Sequence, residues 1–401
     1  MRTLGHWVGF WGNLQGAGRV INVTTHRSRR MKVRSLSLRE HATVQLRGLC
    51  AAVGLSDVET PVSILTLLLG AAGDRGTTEP PIWASHVSDD LTPVEFSIAM
   101  DEDGTPVLRM LVEPIADGSG VYANNRVALR VLTALADRFD ISLEQFEKVW
   151  GLFVPGEPCG RFGLWFSVIF RPGAPPDFKV YFNPAARGEE HAPALVAEAL
   201  CRLGLDSAYS LVSAGAVARP GLDRLPFFAL DLHARMHARV KVYVSHYDAG
   251  SPTVETAAAV VPGIHMGRVR EFYSVIAGGL GRRLTGLPSL SSYSFVGDPG
   301  TPKNYSLYLP IRDLVPDDEV ALERVLLLMD RWGLDHSPVL RAVDAVSARR
   351  PGDGVGLIAY ASLRLGPDRS GITVYLSSEA YATMPPRSRA STHAQLSQAN
   401  H

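Results

Sequence analysis

Residues 238–246 read ARVKVYVSH. Val240, Val242 and Val244 alternate with Arg239, Lys241, Tyr243 and Ser245. A strand sends successive side chains to opposite faces. This one therefore has a wholly β-branched face and a face carrying two cations and a phenol. The valines demand a cover, because Val-rich strands are seldom left bare. The polar face needs a separate explanation.

The stretch has relatives along the chain. They are Arg109-Met-Leu111, Lys179-Val-Tyr181, Lys241-Val-Tyr243, Ser306-Leu-Tyr308 and Thr373-Val-Tyr375, with third positions 70, 62, 65 and 67 residues apart. A near-constant interval of this size marks a structural repeat. Each relative follows another candidate strand. The pairs are residues 94–101 with 106–113, 163–171 with 177–183, 226–233 with 238–246, 291–296 with 304–311, and 356–365 with 372–378. Short Gly- and Pro-containing links join them, as in antiparallel hairpins.

Helical spacing of apolar residues predicts helices over 125–139, 143–150, 192–203, 207–217, 254–261, 268–282, 317–332 and 338–349. Asp317 and Asp318 suit a helix start and Gly333 a helix stop. The chain thus reads as two helices and two strands, repeated five times. Closing the strands into a ten-stranded antiparallel β-barrel removes every open edge and leaves the helices outside, an α+β fold.

The pattern also assigns the barrel's faces. Leu108, Met110, Val112, Val180, Phe182, Val240, Val242, Val244, Leu307, Leu309, Val374 and Leu376 form the face that packs under the helices. Arg109, Leu111, Lys179, Tyr181, Arg239, Lys241, Tyr243, Ser245, Ser306, Tyr308, Thr373, Tyr375 and Ser377 form the lumen. Small barrels fill their interiors with apolar side chains. A polar lining in a wider barrel predicts a solvent-filled chamber for a ligand.

Composition narrows the classes of function. The 401 residues carry 40 basic and 40 acidic side chains, so charge gives no reason to expect nucleic acid. Three cysteines, Cys50, Cys159 and Cys201, are widely spaced without a CxxC, which points to a reducing compartment. The longest apolar run, residues 62–73, is shorter than the roughly 20 residues of a membrane span, and no signal peptide precedes it. A cytoplasmic protein without membrane contact is expected. Residues 1–34 hold seven Lys or Arg and no acid, and are expected to be a disordered extension, with Met31 as a second candidate start. Residues 35–384 then form one barrel domain, and 385–401 a loose polar tail.

The lumen brings together Arg109, Lys179, Arg239 and Lys241, while few acids share its faces: Glu95, Glu113 and Asp231. Buried cations need anionic partners, so the surplus predicts a bound polyanion such as a diphosphate. Tyr181, Tyr243, Tyr308 and Tyr375 occupy one position in successive repeats. Aromatic faces attract cations, by about 2 kcal/mol when desolvated. An anion site beside an aromatic belt suits an allylic diphosphate, whose departure leaves a carbocation.

These residues carry a resemblance. Pro93-Val-Glu-Phe-Ser97, Arg109 followed by Glu113-Pro114, Lys179-Val-Tyr181, Asp231, Arg239-Val-Lys-Val-Tyr243, Ser306-Leu-Tyr308 and Thr373-Val-Tyr375 resemble the soluble aromatic prenyltransferases of the dimethylallyltryptophan synthase type, bacterial-like members of the prenyltransferase-barrel superfamily. The resemblance spans about residues 40–380. It implies that Arg109, Lys179, Arg239 and Lys241 hold the diphosphate. It implies that the four tyrosines shield the dimethylallyl cation, and that Glu95 accepts a hydrogen bond from an indole N–H. The implied reaction is metal-independent transfer of a dimethylallyl group from dimethylallyl diphosphate to an aromatic carbon of L-tryptophan or a related indole.

Two departures from the family pattern matter. Ser306, with Asn304 nearby, stands where many fungal members have Gln. Residues 163–170 (GLWFSVIF) lack the lysine of fungal 4-prenylating members, which directs the expectation to a benzenoid position such as C6. Trp165 on that strand is expected to shape the acceptor pocket. Alternatives are prenylation of tyrosine, a cyclic dipeptide or a phenolic polyketide, and non-catalytic carriage of an isoprenyl diphosphate.

Other apparent motifs are discounted. His233 and His237 lack the HExxH glutamate, and no DDxxD or Walker loop occurs. Gly352-Asp-Gly-Val-Gly356 precedes a strand rather than a helix and reads as a turn. Asp89-Asp90 reads as a loop.

Overall fold

The computed structural model describes residues 36–118, 120–233, 239–296, 300–366 and 370–388. The extension expected over residues 1–34, most of the tail, and His237 lie outside them.

Five helix–helix–strand–strand units follow one another. The first is α1 (Leu38–Ala52), α2 (Glu59–Leu69), β1 (Val94–Asp101) and β2 (Pro106–Val112). The second is α3 (Val121–Ala136), α4 (Glu144–Phe153), β3 (Trp165–Phe170) and β4 (Asp177–Phe182). The third is α5 (Ala192–Arg202), α6 (Asp206–Ala216), β5 (Phe228–Asp231) and β6 (Val240–His246). The fourth is α7 (Ser251–Ala258), α8 (Met266–Ala277), β7 (Ser289–Phe295) and β8 (Asn304–Leu309). The fifth is α9 (Asp318–Arg331), α10 (Ser337–Val346), β9 (Ile358–Leu365) and β10 (Ser370–Ser377).

Every one of these strands pairs antiparallel with its neighbours in sequence, and β10 pairs with β1 to close the barrel. The last junction sets Tyr375 opposite Ser97 and Ser377 opposite Glu95. All twelve residues assigned to the outer face belong to one buried core beneath the helices. The alternation of each second strand thus sorts its side chains between core and lumen.

Local signals explain several element ends. Ser37 and Glu40 form a reciprocal capping box at the start of α1. Asp317 caps α9 by accepting the Val320 N–H. Asp318 instead turns inward: its carboxylate accepts N–H groups of Gly356, Leu357 and Ile358 and pairs with Arg349, fastening α9 to the start of β9. Both aspartates are therefore structural.

Four expectations change. The repeat implies α1 and α2, but apolar spacing did not single them out. The helix expected over 268–282 stops at Ala277, because Gly278 takes a left-handed φ of 82° and donates its N–H to the Ser274 carbonyl. A two-residue strand, Asp223–Arg224, adds to β6 opposite His246 and Ser245. It exists because the four-residue β5 covers β6 only from Val240 to Val242. Finally, residues 385–388 do not fray: Arg387 donates to backbone carbonyls of Pro316, Arg312 and Val315.

The added strand is tied in by a buried relay. His246 contacts Asp223 through Nδ1 and Ser291 through Nε2, each at 2.9 Å. Asp223 also accepts from Arg219, and Ser291 contacts the Tyr305 hydroxyl at 2.9 Å. Ser291 is fully buried, so this acid–histidine–serine chain joins sheet to helices and presents no exposed hydroxyl.

Candidate active site

Lumen-facing side chains from all five hairpins line one cavity that opens to solvent. Along β4 the order is Lys179 then Tyr181, and along β6 it is Lys241 then Tyr243. Positions two apart on one face stack along the barrel axis. A cation layer therefore adjoins a tyrosine layer.

The cation layer is unevenly neutralised. Asp231 pairs with both Lys179 (3.3 Å) and Arg239 (3.0 Å). Among the described residues no carboxylate pairs with Arg109 or Lys241, and Arg109 Nε is buried without a hydrogen-bond partner. Lys241 is 7% exposed, and its ammonium lies 6.0 Å from the centre of the Tyr243 ring. Burial, opposed by Asp231, pulls the Lys179 ammonium down to about 8. Burial, with Lys179, Arg239 and Arg109 nearby, pulls Lys241 well below the usual lysine range. Among the described residues, the cations of this layer outnumber the carboxylates paired with them.

The tyrosine layer is a continuous arc. Ring centres are 5.7 Å apart from Tyr181 to Tyr243, 6.0 Å from Tyr243 to Tyr308, and 5.9 Å from Tyr308 to Tyr375. Hydroxyls of Tyr181 and Tyr243 meet at 3.3 Å, and the Tyr375 hydroxyl lies 3.4 Å from Ser362 Oγ. Burial raises the phenols of Tyr181, Tyr243 and Tyr375, so these three rings stay neutral.

Glu95 lies one lumen step beyond Ser97, which pairs with Tyr375 on one side and with Arg109 on the other. It is 9% exposed, and burial pushes its carboxyl up to about 8, against the pull of Arg312 and with a further push from Asp89. Arg312 pairs with Asp89 and stands over the Tyr360 ring at 5.0 Å.

Ser306 and Asn304 also line the chamber. Five residues expected on the lumen faces, Trp165, Ser245, Ser377, Glu113 and Asp231, lie outside its lining. Trp165 packs against Phe162 and Phe227, with ring centres 4.2 and 5.4 Å away, and backs Tyr181 and Leu111 from behind. It stands directly opposite Tyr181 across the β3–β4 pairing. Ser245 donates to the Arg224 carbonyl, and Ser377 faces a second cavity. Glu113, 1% exposed, accepts from Ser85 Oγ at 2.7 Å, and burial pushes it up to about 7. His233 lies 3.9 Å from Asp231. Among the described residues there is no group of three or more His, Cys, Asp or Glu able to hold a metal ion, and no helix long and apolar enough to cross a membrane.

Sequence reasoning missed Arg312 and Tyr360. Arg312 sits in a single 3-10 turn, Ile311–Asp313, outside the strand pattern. Tyr360 lies where the β9–β10 register slips, so simple alternation misplaces it. It also missed Arg364 and Asp101, which pair at the chamber rim. The repeat signal came from second strands, and all four stand elsewhere: Asp101, Tyr360 and Arg364 on first strands, Arg312 in a turn.

The sequence profile of the tryptophan dimethylallyltransferase family matches residues 65–258. The chain is 45% identical to a 6-dimethylallyltryptophan synthase from Micromonospora olivasterospora, solved in complex with DMASPP and Trp. That match covers 88% of this chain and 100% of the other, with a TM-score of 0.84. It is 37% identical to the prenyltransferase PriB, solved with L-tryptophan and dimethylallyl thiolodiphosphate (88% and 99% covered, TM-score 0.82). It is 36% identical to a 5-dimethylallyltryptophan synthase from Streptomyces coelicolor (86% and 99% covered, TM-score 0.81).

Proposed function

We propose, from the premise that this chain belongs to the tryptophan dimethylallyltransferase family and is an aromatic prenyltransferase, that it transfers a dimethylallyl group from dimethylallyl diphosphate to C6 of L-tryptophan. One observation carries the reading: a cation layer only partly neutralised by Asp231, a tyrosine belt and a buried carboxyl follow one another along a single chamber. That is the order in which an allylic diphosphate, a carbocation and an indole must line up.

In this reading Arg109, Lys179, Arg239 and Lys241 grip the diphosphate. Its bond to the allylic carbon breaks with both electrons leaving on oxygen, and the four cations stabilise that charge in a water-poor site. Tyr181, Tyr243, Tyr308 and Tyr375 hold the cation between ring faces and away from water. Glu95 accepts the indole N–H, which fixes the ring and stabilises positive charge developing on nitrogen. A ring carbon then bonds to the allylic carbon, and loss of the ring proton restores aromaticity. The N–H bond favours the ionised carboxyl, so indole binding draws the Glu95 pKa down from its raised value.

Four protein cations do for the diphosphate what divalent ions do elsewhere, so turnover is expected to persist in EDTA. The chamber-forming unit is residues 35–384. Free cysteines at Cys50, Cys159 and Cys201 favour a cytoplasmic setting. The preference for C6 follows the higher identity to the 6-synthase than to the 5-synthase. Incubation with dimethylallyl diphosphate and L-tryptophan in EDTA, followed by NMR of the product, tests the reading. A C6-linked dimethylallyl group is expected. Attachment at C4, C5 or C7 would overturn the position, and binding without turnover would favour a carrier.

A further inference from the structure

The reaction above uses one buried carboxyl of the barrel. A second, Glu113, is fully enclosed at the same end. It stands one lumen step beyond Leu111, which pairs with Glu95 on one side and with Ser167 on the other. Among the described residues no cation pairs with it. A buried carboxyl without a counter-ion must be satisfied by neutral donors.

Glu113 is surrounded by such donors. Its Oε2 accepts the Ser85 hydroxyl at 2.7 Å. Ser85 Oγ already accepts the Val87 N–H at 3.3 Å, so its proton is available to Glu113. The indole N–H groups of Trp83 and Trp165 are buried and find no other acceptor among the described residues. Both favour the ionised form of Glu113, as does the Gly163 N–H. The donors thus come from β3 and its approach on one side, and from residues 83–85 on the other.

Residues 83–90 contain no helix or strand, so side chains rather than a backbone ladder hold them in place. Ser85, Val87 and Ser88 are nevertheless buried. Val87 packs with Phe162 and Trp165, behind Tyr181 and Leu111. Ser88 Oγ lies 2.6 Å from Ser377 Oγ, and Ser377 stands opposite Glu95. Asp90 accepts the Tyr381 N–H at 3.1 Å. The segment therefore passes the Glu95 end of the barrel from β3 to β10. Glu113 fastens its first part, and β10 with the residues after it fastens the last.

We propose that Glu113 is a positioning residue that clamps residues 83–88 across the Glu95 end of the barrel and so bars water from the allylic cation. The inference rests on the transferase reading above and deepens it. A carboxylate suits this post because both its oxygens accept, whereas an amide would turn its own N–H groups toward the indole donors. Water that reached the cation would form a C–O bond and lose a proton. Dimethylallyl alcohol and diphosphate would then leave in place of the prenylated acceptor.

Two measurements on the full-length enzyme test the clamp: hydrogen exchange resolved to peptides, and the ratio of dimethylallyl alcohol to prenylated product. Glu113→Gln and Ser85→Ala should each speed exchange within residues 83–90 about 10-fold while leaving β6 to β8 unchanged. Each should raise the alcohol ratio roughly 10-fold. The double variant should add little to the larger single effect, because both changes remove one contact. Should Glu113→Gln fail to fold, Ser85→Ala decides alone. Val131→Ala, in α3 of the helix layer, is the control: it should lower the melting temperature and leave the ratio at the wild-type value. Unchanged exchange at residues 83–90, faster exchange with an unchanged ratio, or an equal rise in the control would overturn the proposal. Exchange needs no substrate, so an enzyme without turnover would sink the transferase reading while the clamp is still judged by its own readout.

Discussion

Lys241 is a cation kept without a counter-ion, and its titration reports what it waits for. Burial depresses it and Lys179, the latter to about 8. A bound diphosphate raises both, so binding near pH 8 takes up protons and affinity falls as pH rises through that region. Calorimetry of inorganic diphosphate in two buffers of different ionisation heat should show this uptake. Lys241→Ala should reduce it and weaken binding roughly 10–100-fold. Glu95 titrates the other way. Its folded value of about 8 lies above the unfolded 4.5, so the folded state binds the extra proton and stability falls as pH rises between them. Glu95→Gln should therefore raise the melting temperature by a few degrees at pH 8 and by less at pH 4.5. The same variant should lower kcat/KM for L-tryptophan by about 100-fold or more. The alternation of β1 put Glu95 in the lumen from sequence alone. That Asp231 neutralises Lys179 and Arg239, leaving Arg109 and Lys241 open, depends on distances between three strands that no sequence pattern encodes.

At the scale of elements, the belt makes sense only as a set. Each tyrosine belongs to a different second strand, and although a first strand separates each from the next, neighbouring rings come within 6.0 Å. In the proposed reaction, removing one ring would open the cation to water. Tyr308→Ala should increase release of dimethylallyl alcohol relative to prenylated product roughly 10-fold, measured by chromatography of both products. The repeat was legible because second strands keep one register: apolar residues toward the helices, Lys or small polar then Tyr toward the lumen. First strands carry no such signature, and the residues missed there, Asp101, Tyr360 and Arg364, follow from that. Asp223–Arg224 was illegible for another reason. Its pairing answers the shortness of β5, a property of the assembled sheet rather than of two residues. The end of α8 was readable in principle, since two consecutive glycines, Gly278 and Gly279, interrupt the helical spacing there.

At the scale of the whole molecule, barrel closure turns five repeats into one gradient of chemistry. Pairing β10 with β1 brings Glu95 beside Tyr375, though 280 residues separate them in sequence. Lys179 and Lys241 precede Tyr181 and Tyr243 along their strands, and Glu95 stands one step beyond Tyr375 at the closing junction. The zero net charge of the chain hides this polarity, so composition alone excludes classes of partner and identifies none. The central claim is that donor and acceptor meet at the belt from opposite sides. A crystal structure with dimethylallyl thiolodiphosphate and L-tryptophan tests it most directly. The account predicts phosphoryl oxygens against Arg109, Lys179, Arg239 and Lys241, the dimethylallyl group among the four tyrosines, and the indole nitrogen at Glu95. A diphosphate bound away from those four cations, or an indole whose nitrogen points away from Glu95, would contradict it.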